Sequence, residues 1–424
     1  MTMIGTAERT FVASEKRPLG LQNLGNTCYM NSSLQAIRTI PELDVALQEF
    51  KSSASSGEET LDAALTESLK NLFETMRNPT VTQECAVPLE VITALRQVAP
   101  QFQEKDQRGE YAMQDADETW TQTISSLHET LRPDSTAMSC VDQYLGVKLQ
   151  QTLSCNEAPE EPPAIKFESA SKLECNITID TNHLLTGIKN VHSLNQIFKN
   201  QHQKNSPSLG RVAIYTQTSR LSRLPTNLAI HLVRLYWRAD IQKKVKITRR
   251  VEFPLQLNVF DLLSEELKPI VAPIRVAVRD IQKGREARAK IRRSRTHGSV
   301  RVPAVLRQRS GDLESKTVTL MEADKLEDEV TLHRREEEKL RVLVRRTVGE
   351  REEQGPSWSG LYEMSGHYFA WTRQESSDDV IPGEEEWYKF NDEKVSMVGK
   401  DKIQALAGGG EDSVAYMLLY RAAM

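Results

Sequence analysis

The chain has 424 residues, more than one compact core usually holds, so two or three lobes are expected. With 55 basic and 59 acidic residues its formal charge is −4, which excludes a global pull toward nucleic acid or an anionic membrane; neither is expected as a partner. Five cysteines at irregular spacing (Cys28, Cys85, Cys140, Cys155, Cys175) do not look like a secreted disulfide scaffold, and no stretch approaches the about eighteen apolar residues that span a bilayer. Free thiols in a soluble cytoplasmic or nuclear protein are the expectation.

Residues 1–19 lack apolar periodicity and read as a leader. At Gly20 the character changes: Gly25 and Asn26 form turns readily, and Tyr29, Met30, Leu34, Ala36 and Ile37 then follow at helical spacing. Thr27 is a candidate N-cap, which places Cys28 in the first turn of a helix. Leu61 to Arg77, Leu89 to Val98 and Asp115 to Leu131 repeat the helical spacing, giving a helical lobe over 20–140. Strand-like alternation then takes over in Gln143 to Leu153, Ile177 to Ile179, and Leu228 to Trp237, giving a β-rich lobe over 141–261. Over 262–355 the charge changes sign. Arg279 to Arg309 holds eleven Lys or Arg against two Asp or Glu, while Asp312 to Glu338 is dominated by acids, the pattern of a solvated, partly helical insertion whose halves pair with each other. Strands return over 356–424, in His367 to Thr372, Trp387 to Phe390 and Ala415 to Tyr420.

A helix N-terminus favours a thiolate through its unpaired N–H groups and dipole, and Cys28 has that setting. The competing reading, a buried small hydrophobe, is the commonest fate of a free cysteine, and turn chemistry alone leaves the two open. A nucleophile also needs a base and a group to orient it. His231 lies in an apolar strand and reads as structural, whereas His367 follows Ser365-Gly366, where the backbone can approach a substrate, and precedes an aromatic strand. Asn391 and Asp392, some twenty residues on, offer an amide or a carboxylate to an imidazole. Asn23, five residues before Cys28, is either an oxyanion donor or the cap of a turn.

Gly20-Leu-Gln-Asn-Leu-Gly-Asn-Thr-Cys-Tyr-Met-Asn-Ser resembles the cysteine box of the ubiquitin-specific proteases. Gln114-Asp-Ala-Asp-Glu resembles their glutamine box, Ser365-Gly-His-Tyr their histidine box, and Trp387-Tyr-Lys-Phe-Asn-Asp-Glu-Lys-Val their final box, in the family's order. Arg220-Leu-Ser-Arg-Leu-Pro, Val251-Glu-Phe-Pro-Leu-Gln-Leu and the closing Gly408 to Tyr420 resemble the proteasome-associated branch in its fungal form. The resemblance implies an α+β, papain-like cysteine protease with helical thumb, β-rich palm and fingers, occupying 20–424, that hydrolyses the C-terminal peptide or isopeptide bond of ubiquitin. It implies Cys28 as nucleophile, His367 as general base and acid, Asn391 as the orienting third residue, and Asn23 as oxyanion donor. Gln114, Asp115 and Tyr368 would bind the ubiquitin tail. Ubiquitin, ubiquitinated proteins and the proteasome regulatory particle are the implied partners.

Four departures accompany the likeness. Asn391 stands where this branch usually has aspartate, with Asp392 next door as a possible auxiliary, and Met113 stands where a glutamine is common. Cys155 and Cys175 are single and lack the spacing of a four-ligand zinc site, so no metal or other cofactor is expected. Most seriously, Gly360-Leu-Tyr-Glu begins a strand that in the family runs into a substrate-gating loop, yet here Met364-Ser-Gly-His follows at once. A lost strand would expose a sheet edge or open the core beside the base, leaving a weak or inactive ubiquitin-binding scaffold as the alternative reading. Met3 to Ala7 resembles the end of a linker after the branch's ubiquitin-like docking domain, which is not in this sequence.

Overall fold

The computed structural model describes residues 18–51, 60–80, 83–132, 138–192, 204–238, 240, 242–296, 329–348, 358–367, 371–373, 386–408 and 414–423. Residues 1–17 of the expected leader, Tyr368, and the acidic stretch up to residue 328 lie outside them, whereas Leu19, expected in the leader, is buried in the core.

The helical lobe begins with β1 (Gly20–Leu21), α1 (Cys28–Arg38), α2 (Pro41–Glu49), α3 (Leu61–Arg77), β2 (Cys85–Ala86), α4 (Leu89–Val98), α5 (Ala116–Thr130) and α6 (Cys140–Tyr144). Local chemistry sets several ends. The Thr60 side chain accepts the Ala63 N–H at the start of α3, Asp115 accepts that of Asp117 at α5, and Ser139 accepts that of Val141 at α6. Leu34, Ile37, Leu65, Leu69, Trp120, Ile124 and Leu127 fill one core, which reaches the sheet through Ala229, Met417 and Leu419.

The β-rich lobe holds β3 (Val147–Cys155), β4 (Ala164–Ala170), β5 (Leu173–Asn176), α7 (Leu184–His192), β6 (Lys204–Asn205), β7 (Val212–Ala213), β8 (Tyr215–Arg223), β9 (Asn227–Val233), β10 (Leu235–Arg238), β11 (Lys243–Lys246) and β12 (Gln256–Asn258). Two corrections to the expected elements arise here. The strand expected from Gln143 starts at Val147, because Ser139 caps a short helix first. The strand expected at Ile177 to Ile179 is β5 instead: Leu173 and Cys175 alternate into the core, whereas Ile179 is 79% exposed.

The insertion forms an antiparallel pair of helices, α8 (Lys268–Thr296) and α9 (Glu329–Val348), packed through Ile270, Ile274, Val278, Leu340 and Val348. Glu336 accepts hydrogen bonds from Arg285 at 2.8 Å and Arg288 at 2.6 Å, so the basic helix does pair with acid from the second half.

The last elements are β13 (Leu361–His367), β14 (Trp371–Arg373), β15 (Glu386–Asn391), β16 (Lys394–Gly399), α10 (Lys400–Ala405) and β17 (Met417–Ala422). They complete the main sheet, ordered β16-β15-β14-β13-β17-β9-β5, with β12 beside β13. The Gly360-Leu-Tyr-Glu segment and the histidine box have merged into the single strand β13. Its first half pairs with β12 and β17, its last two residues pair with β14, and its register against β17 shifts between Met364 and Gly366. Beside the merged strand lies a cleft of about 960 Å³, walled by Arg38, Thr39, Met76 and Arg77 on the helical side and by Met364, Ser365, Thr372 and Phe390 on the sheet side.

Candidate active site

Cys28 is the first residue of α1, and the chain reaches it through a tight loop. Gly25 (φ 92°) and Asn26 (φ 55°) both take left-handed conformations there. The Asn26 amide then anchors the loop by donating to the Tyr111 carbonyl at 3.0 Å. Thr27 does not cap α1 with its side chain as expected; its hydroxyl accepts the Leu24 N–H at 2.9 Å and donates to Asn23 Oδ1 at 3.3 Å. Asn23 Oδ1 also accepts from the N–H groups of Gly25 and Thr27, at 3.0 and 3.2 Å. Its oxygen is therefore committed to the loop, which turns its NH₂ group outward.

That NH₂ group meets Asp392. Asn23 Nδ2 donates to Asp392 Oδ2 at 2.9 Å, and Asn31 Nδ2 donates to Asp392 Oδ1 at 2.8 Å. Asp392 sits in the two-residue turn between β15 and β16 at φ 52°, a conformation that aspartate tolerates better than most side chains. β1 holds the turn in place: the Leu21 N–H donates to the Asp392 carbonyl at 3.0 Å, and the Asn23 N–H donates to Glu393 Oε1 at 2.8 Å. Only glycine fits at position 20, where a Cβ would lie 2.4 Å from the Glu393 carbonyl oxygen.

The structure thus brings together Cys28, Asn23 and Asp392, with Asn391 exposed at the end of β15. It does not bring the backbone of His367 to them. His367 pairs with Trp371 in β14, and Trp371 pairs with Lys389 in β15. The residue is therefore two strands, or about 10 Å, from β15, and stops two residues short of the level of Asn391. Gly366 next to it lies against Thr39, just past the end of α1, whereas Cys28 begins that helix about 16 Å away by helical rise.

Of the expected tail-binding residues, Asp115 caps α5 and accepts from the Tyr416 hydroxyl at 2.6 Å, and Gln114 donates to the Gln101 carbonyl at 3.0 Å. Buried His231 packs edge-on against Tyr416 with ring centroids 4.9 Å apart; its Nδ1 lies 3.6 Å from Asp117 Oδ1, and among the described residues neither ring nitrogen has a hydrogen-bond partner. Cys155 and Cys175 lie in different sheets. Asn31 and Tyr416 carried no role in the sequence reading. The signal for Asn31 was present: an amide three residues after Cys28, inside an otherwise apolar helical run.

The thiol itself departs from the helix-terminus expectation. Burial and then the Asp392 carboxylate push the Cys28 pKa above its ordinary value, outweighing the backbone N–H groups of Tyr29 and Cys28. The thiol form is therefore favoured at neutral pH in the free chain. Replacing Asp392 by asparagine removes the charge and should shift the pH midpoint of Cys28 alkylation downward. Peptide-resolved mass spectrometry of iodoacetamide labelling checks this, and an unchanged midpoint would contradict the assignment.

Comparison with known proteins places the chain in a family. The family profile described as ubiquitin carboxyl-terminal hydrolase matches residues 19–420. The chain belongs to the ubiquitin carboxyl-terminal hydrolase family. Ubiquitin carboxyl-terminal hydrolase 6 of Schizosaccharomyces pombe is 32% identical, over 96% of this chain and 78% of its own length. Ubiquitin carboxyl-terminal hydrolase 6 of Arabidopsis thaliana is 31% identical, over 100% of this chain and 85% of its own. Among solved structures, a chain of the SAGA Ubp8/Sgf11/Sus1/Sgf73 DUB module bound to ubiquitin aldehyde superposes with a TM-score of 0.56 at 16% identity, covering 97% of this chain and 71% of that one. The fold is the papain-like fold of the ubiquitin-specific proteases, and the enzyme class is that of thiol-dependent ubiquitinyl hydrolases.

Proposed function

We propose that this family member cleaves ubiquitin from conjugates through an acyl-enzyme on Cys28. The observation that carries the reading is the loop built around Cys28, in which Asn23 is fixed with its NH₂ group beside the first turn of α1. In the reaction the Cys28 sulfur attacks the carbonyl at the C-terminus of ubiquitin; His367, which must first leave its pairing with Trp371 to reach the loop, takes the thiol proton and delivers it to the departing amine, and water then releases ubiquitin. Asn23 Nδ2 and the Cys28 N–H donate to the oxyanion. Asn391 or Asp392 orients the imidazole, and Asp115 with Gln114 and Tyr368 receives the ubiquitin tail. The substrates are proteasome-bound conjugates in cytoplasm and nucleus, a reading that rests on the sequence resemblance to the proteasome-associated branch.

A ubiquitin probe with a C-terminal electrophile is expected to label the wild-type chain and not Cys28→Ala, faster when proteasomes are added. Equal labelling of the two proteins would sink the nucleophile assignment. One observation favours a second reading, a ubiquitin-binding scaffold of low activity: the backbone of His367 lies two strands from β15. Ubiquitin binding with no turnover of a fluorogenic conjugate would select it.

A further inference from the structure

Asn31 is 3% exposed, one turn along α1 from Cys28, and its amide is used asymmetrically. Nδ2 donates to Asp392 Oδ1 at 2.8 Å and to the Gln22 carbonyl at 3.2 Å, with the Leu21 carbonyl at 3.4 Å. Oδ1, also buried, has no hydrogen-bond partner among the described residues. A buried acceptor left unpaired is unfavourable by about 1–3 kcal/mol, and an apolar side chain of the same size would avoid it. The position therefore keeps an amide for its donors, and the shortest of their bonds goes to a carboxylate, the stronger kind of acceptor.

The other oxygen of that carboxylate takes the hydrogen bond from Asn23 Nδ2. Asn31, Asp392 and Asn23 thus form a chain of two hydrogen bonds from the interior of α1 to the NH₂ group beside Cys28. Without Asn31, the Asp392 side chain keeps the Asn23 amide as its described partner and gains freedom to rotate in the turn. Carbonyls of β1 and the following residue hold Asn31 from the other side, so the clamp spans α1, the approach to the cysteine loop, and the β15–β16 turn.

We infer that Asn31 is a positioning residue for the oxyanion site: it fixes the Asp392 carboxylate, which in turn aims the Asn23 amide at the oxygen of the tetrahedral intermediate. Asn31 touches no substrate in this arrangement and acts only through Asp392. The inference rests on the reading of Cys28 as nucleophile and Asn23 as oxyanion donor.

Ubiquitin aldehyde supplies the test, because addition of the Cys28 sulfur to its carbonyl, with the thiol proton passing to the oxygen, creates a tetrahedral centre at the oxyanion site. Ubiquitin itself binds the same surface without that centre. The ratio of the two dissociation constants is measured for the full chain, for Asn31→Ala, Asp392→Ala and the double variant, and for Asn31→Leu, which keeps the volume if the alanine variant does not fold. Asn31→Ala or Asn31→Leu is expected to reduce the preference for aldehyde about tenfold, below the roughly hundredfold or more lost with a whole oxyanion donor. Affinity for ubiquitin should stay within about twofold, because uniform binding is untouched. The double variant should lose no more than Asp392→Ala alone. An unchanged preference, equal weakening of both ligands, or additive losses in the double variant each overturn the role of Asn31. A wild-type chain that shows no aldehyde preference overturns the nucleophile reading and the inference together.

Discussion

A chain lengthened by about eight residues after Met364, enough to let β13 continue and turn back through Ser365-Gly366, is expected to hydrolyse a fluorogenic ubiquitin conjugate at least a hundredfold faster, within the roughly 10²–10⁴ that a positioned general base contributes. The reason lies in the register. Trp371, Thr372 and Arg373 of β14 pair with Lys389, Tyr388 and Trp387 of β15. Running the same antiparallel register backwards would set residue 369 opposite Asn391 and His367 opposite Glu393, one strand from the turn that carries Asp392 rather than two. In the present structure His367 cannot extend β14, because β13 uses it to finish its own pairing with β17 and β14. Adjacent strands are about 4.8 Å apart, so the change brings the backbone of His367 from beyond the reach of the Cys28 loop to within it. His367→Ala in the lengthened chain must erase the gain. No gain, or a gain that survives this substitution, would show that something other than the base limits the reaction.

What the sequence made legible was what neighbouring residues decide. The bounds of α3 and α4 match the expected Leu61 to Arg77 and Leu89 to Val98, because their spacing of apolar residues is local information. The short distance from Gly360-Leu-Tyr-Glu to the histidine box was also legible, and in the structure both fall within the single strand β13. What sequence spacing could not reveal came from partners distant in the chain. The raised pKa of Cys28 comes from burial and then from Asp392, whose turn can lie against β1 because residue 20 is glycine. Which of the adjacent Asn391 and Asp392 faces the loop depends on the left-handed φ of Asp392, and two neighbouring polar letters do not encode that choice.

Arg234→Met is expected to lower the unfolding free energy by about 3–5 kcal/mol in urea titrations, a large loss for a single side chain. Arg234 follows the apolar run of β9, and in the sequence it reads as one more residue of a strand; in the structure it is fully buried. Its guanidinium donates to four backbone carbonyls: Nε to Ala415, Nη1 to Ile247 at 3.1 Å and Arg249 at 2.9 Å, and Nη2 to Ala407 at 3.4 Å. Burial pulls its pKa down to about 10, which still leaves the side chain charged at neutral pH. Two effects oppose each other in the substitution. Methionine removes the penalty of burying a charge, which favours the variant, but it strands carbonyls from separate segments that converge on the end of β9. The Ala407 carbonyl keeps the Val251 N–H at 2.8 Å as a second donor, whereas the other three have no second donor among the described residues, so the loss should win. Arg234→Lys separates the contributions: it keeps the charge but cannot fan donors to four carbonyls at once, and it should lose about half as much. If the methionine variant unfolds at the wild-type urea midpoint, the carbonyls have found other donors and the guanidinium is not what joins β9 to the 247–249 and 407–415 segments.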